Sequence, residues 1–249
     1  MLTSIRGLAA ATFVFSTGLM ATPALAEETD PPSDIEISGN VALVSDYRFR
    51  GVSLSDEEFA IQGGIDIGHS SGVYVGTWAS SIDEGLGYGG TELDIYGGWS
   101  GDIAEGLSLD VGLLFYLYPG DDGCNCNYYE PYASLTGAVG PAELTFGVAY
   151  APDQSSLDFG ADGGTDDNLY LYTDVGVGIP DTPLSLSAHL GYTDGVLTFT
   201  DNGKAWDWSI GASATVLGGM ELGVSYIGVE GPDVKGLDDA VVGTIAFSF

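Results

Sequence analysis

The sequence predicts an all-β fold, a transmembrane antiparallel up-and-down β-barrel of about 12 strands. From residue 35 onward, stretches of about ten residues alternate apolar side chains with polar or small ones, as strands with one face in lipid do. Short turns alternate strictly with longer acidic loops. No later stretch reaches the roughly 20 apolar residues that a spanning helix needs. A closed sheet is then the remaining way to satisfy backbone hydrogen bonds within lipid.

The first 26 residues (1–26) are typical of a secretory signal peptide. Arg6 supplies the positive charge, residues 8–19 the apolar region, and Ala24-Leu25-Ala26 the small-x-small cleavage site. A membrane anchor is the alternative, but the apolar run is short for a span. We therefore expect cleavage after Ala26, a periplasmic lead-in over 27–34 and the barrel over 35–249. This places the chain in the outer membrane of a Gram-negative bacterium.

The charge of the chain limits its partners. The sequence has 5 Lys+Arg against 36 Asp+Glu, a net charge of −31. Phosphate binding needs a positive surface, so this composition excludes nucleic acid as a partner. The 45% hydrophobic and 11% aromatic content excludes an acidic disordered chain. The partners that remain are outer-membrane lipid, lipopolysaccharide and small polar solutes.

Twelve segments fit the strand pattern. They are 35–49, 58–69, 72–81, 91–100, 106–118, 128–139, 142–151, 168–179, 184–192, 205–217, 219–229 and 240–249. Five connections are short and six are longer, and the two kinds alternate. Outer-membrane barrels have short periplasmic turns and longer external loops, so both termini are expected in the periplasm. The terminal Phe249 is expected to be read by the outer-membrane assembly machinery.

Alternation within the strands assigns the two faces. In 107–117 the odd positions are apolar, whereas Ser108 and Asp110 lie on the other face. In 72–81 the assignment is ambiguous, because Val73 and Val75 compete with Tyr74 and Trp78 for the outer face. In this register every Asp and Glu falls in the lead-in, a loop, a turn or the lumen, and none faces lipid. Aromatic side chains near the loop ends predict an external girdle. They are Tyr47, Phe49, Phe59, Tyr129, Tyr150, Tyr192, Trp206, Trp208 and Tyr226.

The segment Leu43-Val-Ser-Asp-Tyr-Arg-Phe-Arg-Gly-Val-Ser53 resembles the opening signature of the TorF porin family of proteobacteria. Further matches include Tyr74-Val-Gly-Thr-Trp78, Glu92-Leu-Asp-Ile-Tyr-Gly-Gly98 and Leu184-Ser-Leu-Ser-Ala-His-Leu-Gly-Tyr192. The likeness covers nearly the whole chain after the signal peptide. It implies an outer-membrane barrel with a passive channel role.

Arg48 and Arg50 are the only cationic side chains expected inside the barrel, on the same face as Asp46. They either form one wall of a constriction opposite lumenal acids or hydrogen-bond those acids in a structural role. The candidate lumen and constriction residues are Asp46, Arg48, Arg50, Asp66, Glu92, Asp94, Asp110, Glu130, Glu143, Asp174, His189 and Asp207. An open lumen with this excess of carboxylates should prefer cations.

Other reactive side chains give weaker signals. A hydrolase would need an accessible histidine, and neither His69, in a short turn, nor His189, in the lumen, fits that role. We therefore predict neither an enzyme nor a bound cofactor or metal. Cys124 and Cys126 lie in an external loop with one residue between them, a spacing that disfavours a relaxed disulfide. A strained disulfide, free thiols, metal capture and pairing with another chain all remain open.

These observations predict a passive, cation-preferring channel for small hydrophilic solutes. The alternative is a barrel whose lumen is closed by its own side chains, serving as a structural or adhesive surface protein. A secreted soluble β-protein is a third reading. The tyrosines expected to fill a closed lumen are Tyr96, Tyr116, Tyr118, Tyr128, Tyr132, Tyr170 and Tyr172.

Overall fold

The computed structural model describes residues 34–120, 126–157 and 167–249. The proposed signal peptide and the lead-in up to residue 33 lie outside this range. In the part described, 12 antiparallel strands form a closed barrel. Each strand pairs with its neighbours in chain order, and the first pairs with the last. No helix among these residues is long and apolar enough to cross a membrane.

The barrel strands are β1 (Ile35–Val44), β4 (Ala60–His69), β5 (Val73–Ser81), β6 (Thr91–Ala104), β7 (Leu107–Leu117), β8 (Tyr128–Val139), β9 (Ala142–Ala151), β10 (Asn168–Gly178), β11 (Leu184–Gly195), β12 (Lys204–Val216), β13 (Met220–Val229) and β14 (Ala240–Ser248). Two short strands, β2 (Arg48–Phe49) and β3 (Val52–Ser53), pair only with each other. Single 3-10 turns span Glu84–Leu86 and Ser155–Leu157.

All twelve predicted strands are present, and the prediction was wrong for the length of the first. That strand was expected to run to Phe49 but ends at Val44. The sequence after Val44 alternates polar and aromatic residues as a strand would, yet the chain leaves the wall there and turns inward. In 72–81 the ambiguity is settled, because Val73 and Val75 are exposed whereas Gly76 and Ser80 are buried.

The outer face is apolar, as the alternation of apolar with polar or small residues predicts. Ile37, Ile210 and Val241 are each more than half exposed, as side chains that contact lipid would be. One acid departs from the prediction that none faces outward. Because β11 extends to Gly195, Asp194 lies on its outer side, at the loop end, where Lys204 Nζ lies 2.7 Å from its carboxylate.

The external aromatic girdle is also corrected. Phe59, Trp206 and Tyr226 are exposed on the outside near the loop ends. Tyr47 and Phe49 were assigned to the same girdle, but Tyr47 is 3% exposed and Phe49 packs against the buried cluster inside the barrel. The reason is again the inward turn after Val44.

The seam between β1 and β14 is the shortest joint in the wall. It has five residue pairs, from Asn40 with Ser248 to Val44 with Thr244, whereas β10 and β11 share eleven. Backbone hydrogen bonds extend it at both ends. Gly39 and Phe249 bond each other at 2.8 and 2.9 Å, and Ser45 donates its N–H to Gly243 O at 2.9 Å.

Cys126 lies in a disulfide and is buried. A free thiol or a metal ligand at this position is therefore excluded. Cys124 lies outside the described residues.

Candidate functional site in the barrel lumen

Residues 45–57, which we call the plug, turn from the end of β1 into the barrel. The β2–β3 hairpin lies at its centre. Arg50 and Gly51 at the hairpin turn have positive φ values of 50° and 82°. At Gly51 a side chain would also press on the Gly228 carbonyl, because a Cβ there would lie 2.8 Å from that oxygen. Glycine is therefore required where the plug passes the wall.

Asp46 and Arg48 hold the plug in its own fold. Arg48 Nε donates to Asp46 Oδ2 at 2.6 Å, and the Ser53 hydroxyl donates to Asp46 Oδ1 at 2.6 Å. Arg48 Nη1 also donates to the carbonyls of Gly51 and Asp238, at 3.1 and 2.5 Å. Both members of this ion pair are buried. Arg48 therefore has the structural role that the sequence left open.

Arg50 carries the plug across the bore. Its Nη2 donates to both Glu130 oxygens, at 2.9 and 2.7 Å, and its guanidinium carbon lies 4.1 Å from the centre of the Tyr170 ring. Glu130 is on β8 and Tyr170 on β10, each five strands from β1 around a ring of twelve. Arg50 therefore reaches the wall opposite its own strand. Burial lowers the pKa of Arg50, but the charge and hydrogen bonds of Glu130, together with Tyr116 and Tyr128, more than offset this, so the pKa lies above its usual value.

Two aromatic side chains fix the plug against β5, β6 and β7. The Tyr47 hydroxyl donates to Glu92 Oε1 at 2.6 Å, and its ring meets Trp78 edge-on with centroids 5.4 Å apart. Phe49 meets Tyr116 in the same way, at 5.7 Å. Burial, and then the nearby carboxylate charges, raise the pKa of Tyr47.

The loop end of the lumen is filled. Each of the twelve barrel strands buries at least one inward residue there, and we call this ring the sealed layer. Its members include Val44, Ala60, Ser80, Glu92, Leu114, Glu130, Ala151, Asn168, Thr193, Asp207, Ile227 and Val242, all no more than 4% exposed. Ile82, Leu157 and Leu237, which lie between strands, are buried too. The plug thus has partners around the whole circumference.

The opposite half of the lumen is more open, and we call it the vestibule. It is lined by Asp66, Asp110, Glu143, Asp174 and His189. Glu143 is exposed, and Asp66 and Asp110 are part-buried. His189 Nδ1 lies 2.6 Å from Asp174 Oδ1, and Nε2 lies 3.0 Å from Asp207 Oδ1, so the ring bridges two carboxylates.

Tyrosines of the vestibule lie along the wall rather than across the bore. Tyr96, Tyr74, Tyr132 and Tyr172 are each paired across strands with a glycine, namely Gly76, Gly98, Gly112 and Gly147. A Cβ on any of these glycines would overlap the opposite tyrosine, which shows that the tyrosine occupies that space. The hydroxyls of Tyr96 and Tyr74 donate to Asp66 and Asp110, each at 2.6 Å. These four tyrosines therefore do not fill the lumen, whereas Tyr116, Tyr118, Tyr128 and Tyr170 belong to the buried loop end.

The sealed layer holds more negative charge than its one guanidinium balances. Glu92, Asp94 and Glu130 are 1%, 0% and 2% exposed. Neither oxygen of Asp94 has a hydrogen-bond partner within the described ranges, and the same holds for Arg50 Nη1. A buried carboxylate without a partner is costly, so Asp94 is the least satisfied acid of the sealed layer among the described residues.

The structure therefore groups the predicted residues in three sets. Asp46 and Arg48 belong to the plug, and the vestibule contains the five residues that line it. Arg50, Glu92, Asp94, Glu130 and Asp207 lie at the sealed layer. Sequence reasoning missed Tyr47 and Tyr170 as partners of these charges. The fifteen residues between Val44 and its partner Ala60 form the plug, but that pairing is visible only in the sheet register, so the plug could not be recognised from the sequence.

No group of three or more His, Cys, Asp or Glu in the described ranges has an arrangement that fits a metal ion. His69 is exposed at the end of β4, where its Nδ1 lies 2.8 Å from Ser71 Oγ.

A family model described as "Bacterial protein of unknown function (Gcw_chp)" matches residues 28–247. No curated protein matches the sequence. Among solved structures, the NanC porin is similar with 11% identity and a TM-score of 0.60, covering 86% of this chain and 99% of that one. The KdgM porin in complex with disordered oligogalacturonate has 9% identity, a TM-score of 0.54 and coverage of 86% and 97%. The COG4313 outer membrane channel from Pseudomonas putida F1 has 12% identity, a TM-score of 0.53 and coverage of 89% and 99%. These similarities establish the fold as that of porin-like barrels.

Proposed function

Because the chain belongs to the Gcw_chp family and has the fold of porin-like barrels, we propose that it is an outer-membrane channel for small hydrophilic solutes. The supporting observation is the polar, carboxylate-lined vestibule inside a barrel with an apolar outer face. Passage is passive, and no catalytic step is involved. The resemblance of residues 43–53 to the TorF porin family supports the same role.

The proposed location is the outer membrane of a Gram-negative bacterium, after removal of residues 1–26. The longer loops would face outward toward lipopolysaccharide, and residues 27–34 would lead in from the periplasm. Phe249, on the last strand, is the proposed contact of the assembly machinery. Deleting Phe249 should reduce the amount of barrel found in the outer membrane, as measured on membrane fractions.

We propose that the channel prefers cations. The inward carboxylates outnumber the inward guanidinium groups of Arg48 and Arg50, and both arginines already pair with acids in the plug or the sealed layer. Asp66, Asp110 and Glu143 have no basic partner within 4 Å among the residues described. Unbalanced carboxylates on the wall of a pore attract cations and repel anions.

This charge distinguishes the proposed solutes from the ligand of one structural neighbour. The KdgM porin is described in complex with oligogalacturonate, which is a polyanion. The acidic vestibule of the present chain would repel such a polymer. Small cations and neutral polar solutes fit it better.

The sealed layer favours a second candidate function. If the plug stays in place, the barrel is closed at its loop end and would serve as a structural or adhesive surface protein. The observation behind this alternative is the sealed layer itself, in which every barrel strand buries at least one inward residue around the plug. Which candidate holds depends on whether the plug moves.

Conductance in planar bilayers separates the two candidates. Val44 and Ala60 are paired, so a two-residue Asn-Gly turn can replace residues 45–59 and complete a β-hairpin. We expect the variant without the plug to conduct, with a reversal potential in a KCl gradient that reports cation preference. Anion preference would contradict the proposed selectivity. Conductance of the whole chain would show that the plug moves, whereas a whole chain that never conducts, beside a variant that does, would favour the structural role.

A further inference from the structure

The guanidinium of Arg50 behaves as a ligand that the chain itself supplies. Resting on the proposed channel function, we infer that Glu92, Asp94 and Glu130 form a binding site for small solutes that carry a guanidinium group. Such a solute competes with Arg50 for this site and releases the plug. The site would thus be both a selectivity filter and a trigger for opening.

A carboxylate and two aromatic rings hold the guanidinium of Arg50. Glu130 accepts two hydrogen bonds from it, and the guanidinium lies against the rings of Tyr170 and Phe49, with its central carbon 4.1 and 4.7 Å from their centres. A carboxylate together with aromatic faces suits a planar delocalised cation better than an ammonium group. Of these groups, Glu130 and Tyr170 belong to the wall and would remain after the plug had left.

Asp94 and Glu92, beside Glu130, have carboxylate oxygens that no cationic group in the described part of the chain contacts. Both oxygens of Asp94 lack a hydrogen-bond partner in the described part of the chain, although the residue is 0% exposed. Among the described residues Glu92 accepts only the neutral hydroxyls of Tyr47 and Tyr118, at 2.6 and 3.1 Å. The three carboxylates therefore face one guanidinium. An incoming cation would supply Asp94 with the donors that it lacks, and charged hydrogen bonds are the strong ones.

A solute would reach this site from the vestibule. Asp94 and Tyr96 alternate along the inner face of β6, and Tyr96 bonds Asp66 in the vestibule. A cation that enters the vestibule therefore meets Asp66 first, and Asp94, which is buried while the plug is in place, lies next along the same face of β6. The acids along this path raise the local concentration of cations.

The solute concentration needed to displace Arg50 follows from its attachment to the plug. A tethered group such as Arg50 has an effective concentration in the millimolar range when its linker is short and flexible. The plug also has the contacts of Tyr47 and Phe49. A free solute must therefore reach at least millimolar levels, which suits a channel that opens when its solute is abundant.

Single-channel recording on the full-length protein tests this inference with arginine as the probe. Citrulline is the matched control, because it replaces the guanidinium by a neutral urea group of nearly the same shape. At equal millimolar concentration and ionic strength, arginine should raise the open probability about tenfold, and citrulline should leave it unchanged. An equal response to both, or no response to arginine, would overturn the inference.

Variants separate this inference from the channel function. Arg50→Gln and Glu130→Gln should conduct without arginine, and Asp94→Asn should lose most of the arginine response. Lys204→Gln removes a positive charge from an exposed ion pair at the same end and should behave as the parent does. Heat-modifiable gel mobility verifies that each barrel is folded.

The outcomes are distinct. If Arg50→Gln and Glu130→Gln conduct but arginine has no effect on the parent, the channel function stands and the inferred site is wrong. If none of the folded proteins conducts under any condition, the channel function fails with it. An undiminished arginine response in Asp94→Asn would remove Asp94 from the site.

Discussion

The ion pair between Arg50 and Glu130 is expected to hold the plug against the far wall. In Glu130→Gln or Arg50→Gln, one charged partner stays in the sealed layer without its counterion. Loss of one member of a buried pair costs about 3–5 kcal/mol. Taking the lower value, the population with the plug released should rise by about 10²-fold in each single variant.

Hydrogen exchange of the plug amides measures this population. Leu54 donates its N–H to Tyr47 O at 2.7 Å, and Ser53 donates to Gly236 O at 2.9 Å. These amides are expected to exchange when the plug leaves the sealed layer. Both should exchange about 10²-fold faster in each single variant. The double variant should exchange more slowly than the product of the two effects predicts, because it leaves neither charge unpaired.

The two single variants and the double variant form a double-mutant cycle, which has an internal control and outcomes that would contradict the prediction. The amide of Leu190, within β11, should keep its exchange rate in all variants, since it belongs to the wall. If the double variant shows the full product of the single effects, the two residues do not interact. If both single variants exchange at the parental rate, the pair does not retain the plug.

Three further predictions concern the wall and the plug. Gly147→Val should force the opposite Tyr172 off the wall and lower the unfolding free energy, measured in urea, by about 1–3 kcal/mol. Gly178→Val, which has open space around it, should not lower it. Equal losses in the two variants would refute the packing argument. His189→Ala should cost about 3 kcal/mol in the same assay, since it leaves two carboxylates without their shared partner, whereas the exposed His69→Ala should cost little. Because burial raises the pKa of Tyr47, the stability from its hydroxyl is fully present below pH of about 10 and declines as the pH rises further. Tyr47→Phe should lessen this alkaline loss in plug exchange without abolishing it, because burial also raises the pKa of Tyr118, which bonds the same Glu92. An unchanged alkaline loss would assign it to another group.

The strands were predictable because lipid imposes a period of two on the whole wall. That period identified even 72–81 as a strand, although the residues of this segment alone did not show which of its faces points outward. Its neighbours settle the matter, since Tyr74 lies opposite Gly98 and Trp78 opposite Asp94. Cross-strand register of this kind depends on pairing between segments and cannot be read from one segment alone.

The plug was not predictable, because its sequence imitates a strand. Asp46 to Arg50 alternates charged and aromatic residues and so continues the polar–apolar alternation of β1, and nothing local shows that Val44 pairs with Ala60. The inward position of the acids could be inferred from their high cost in lipid. Their partners could not, since Arg50 meets Glu130 eighty residues away in sequence.

The short seam has a consequence for how the molecule is put together. In a flat open sheet β1 and β8 would lie five strand spacings apart, about 24 Å, so residues 45–50 would have to run almost fully extended along the sheet for Arg50 to reach Glu130. Closure of the barrel lets the chain cross the bore instead, so the bond between Arg50 and Glu130 favours the state in which the first and last strands have met. Ser45 both lengthens that junction and begins the inward segment. Loss of the Arg50–Glu130 bond is therefore expected to weaken the shortest junction of the wall as well as to release the plug.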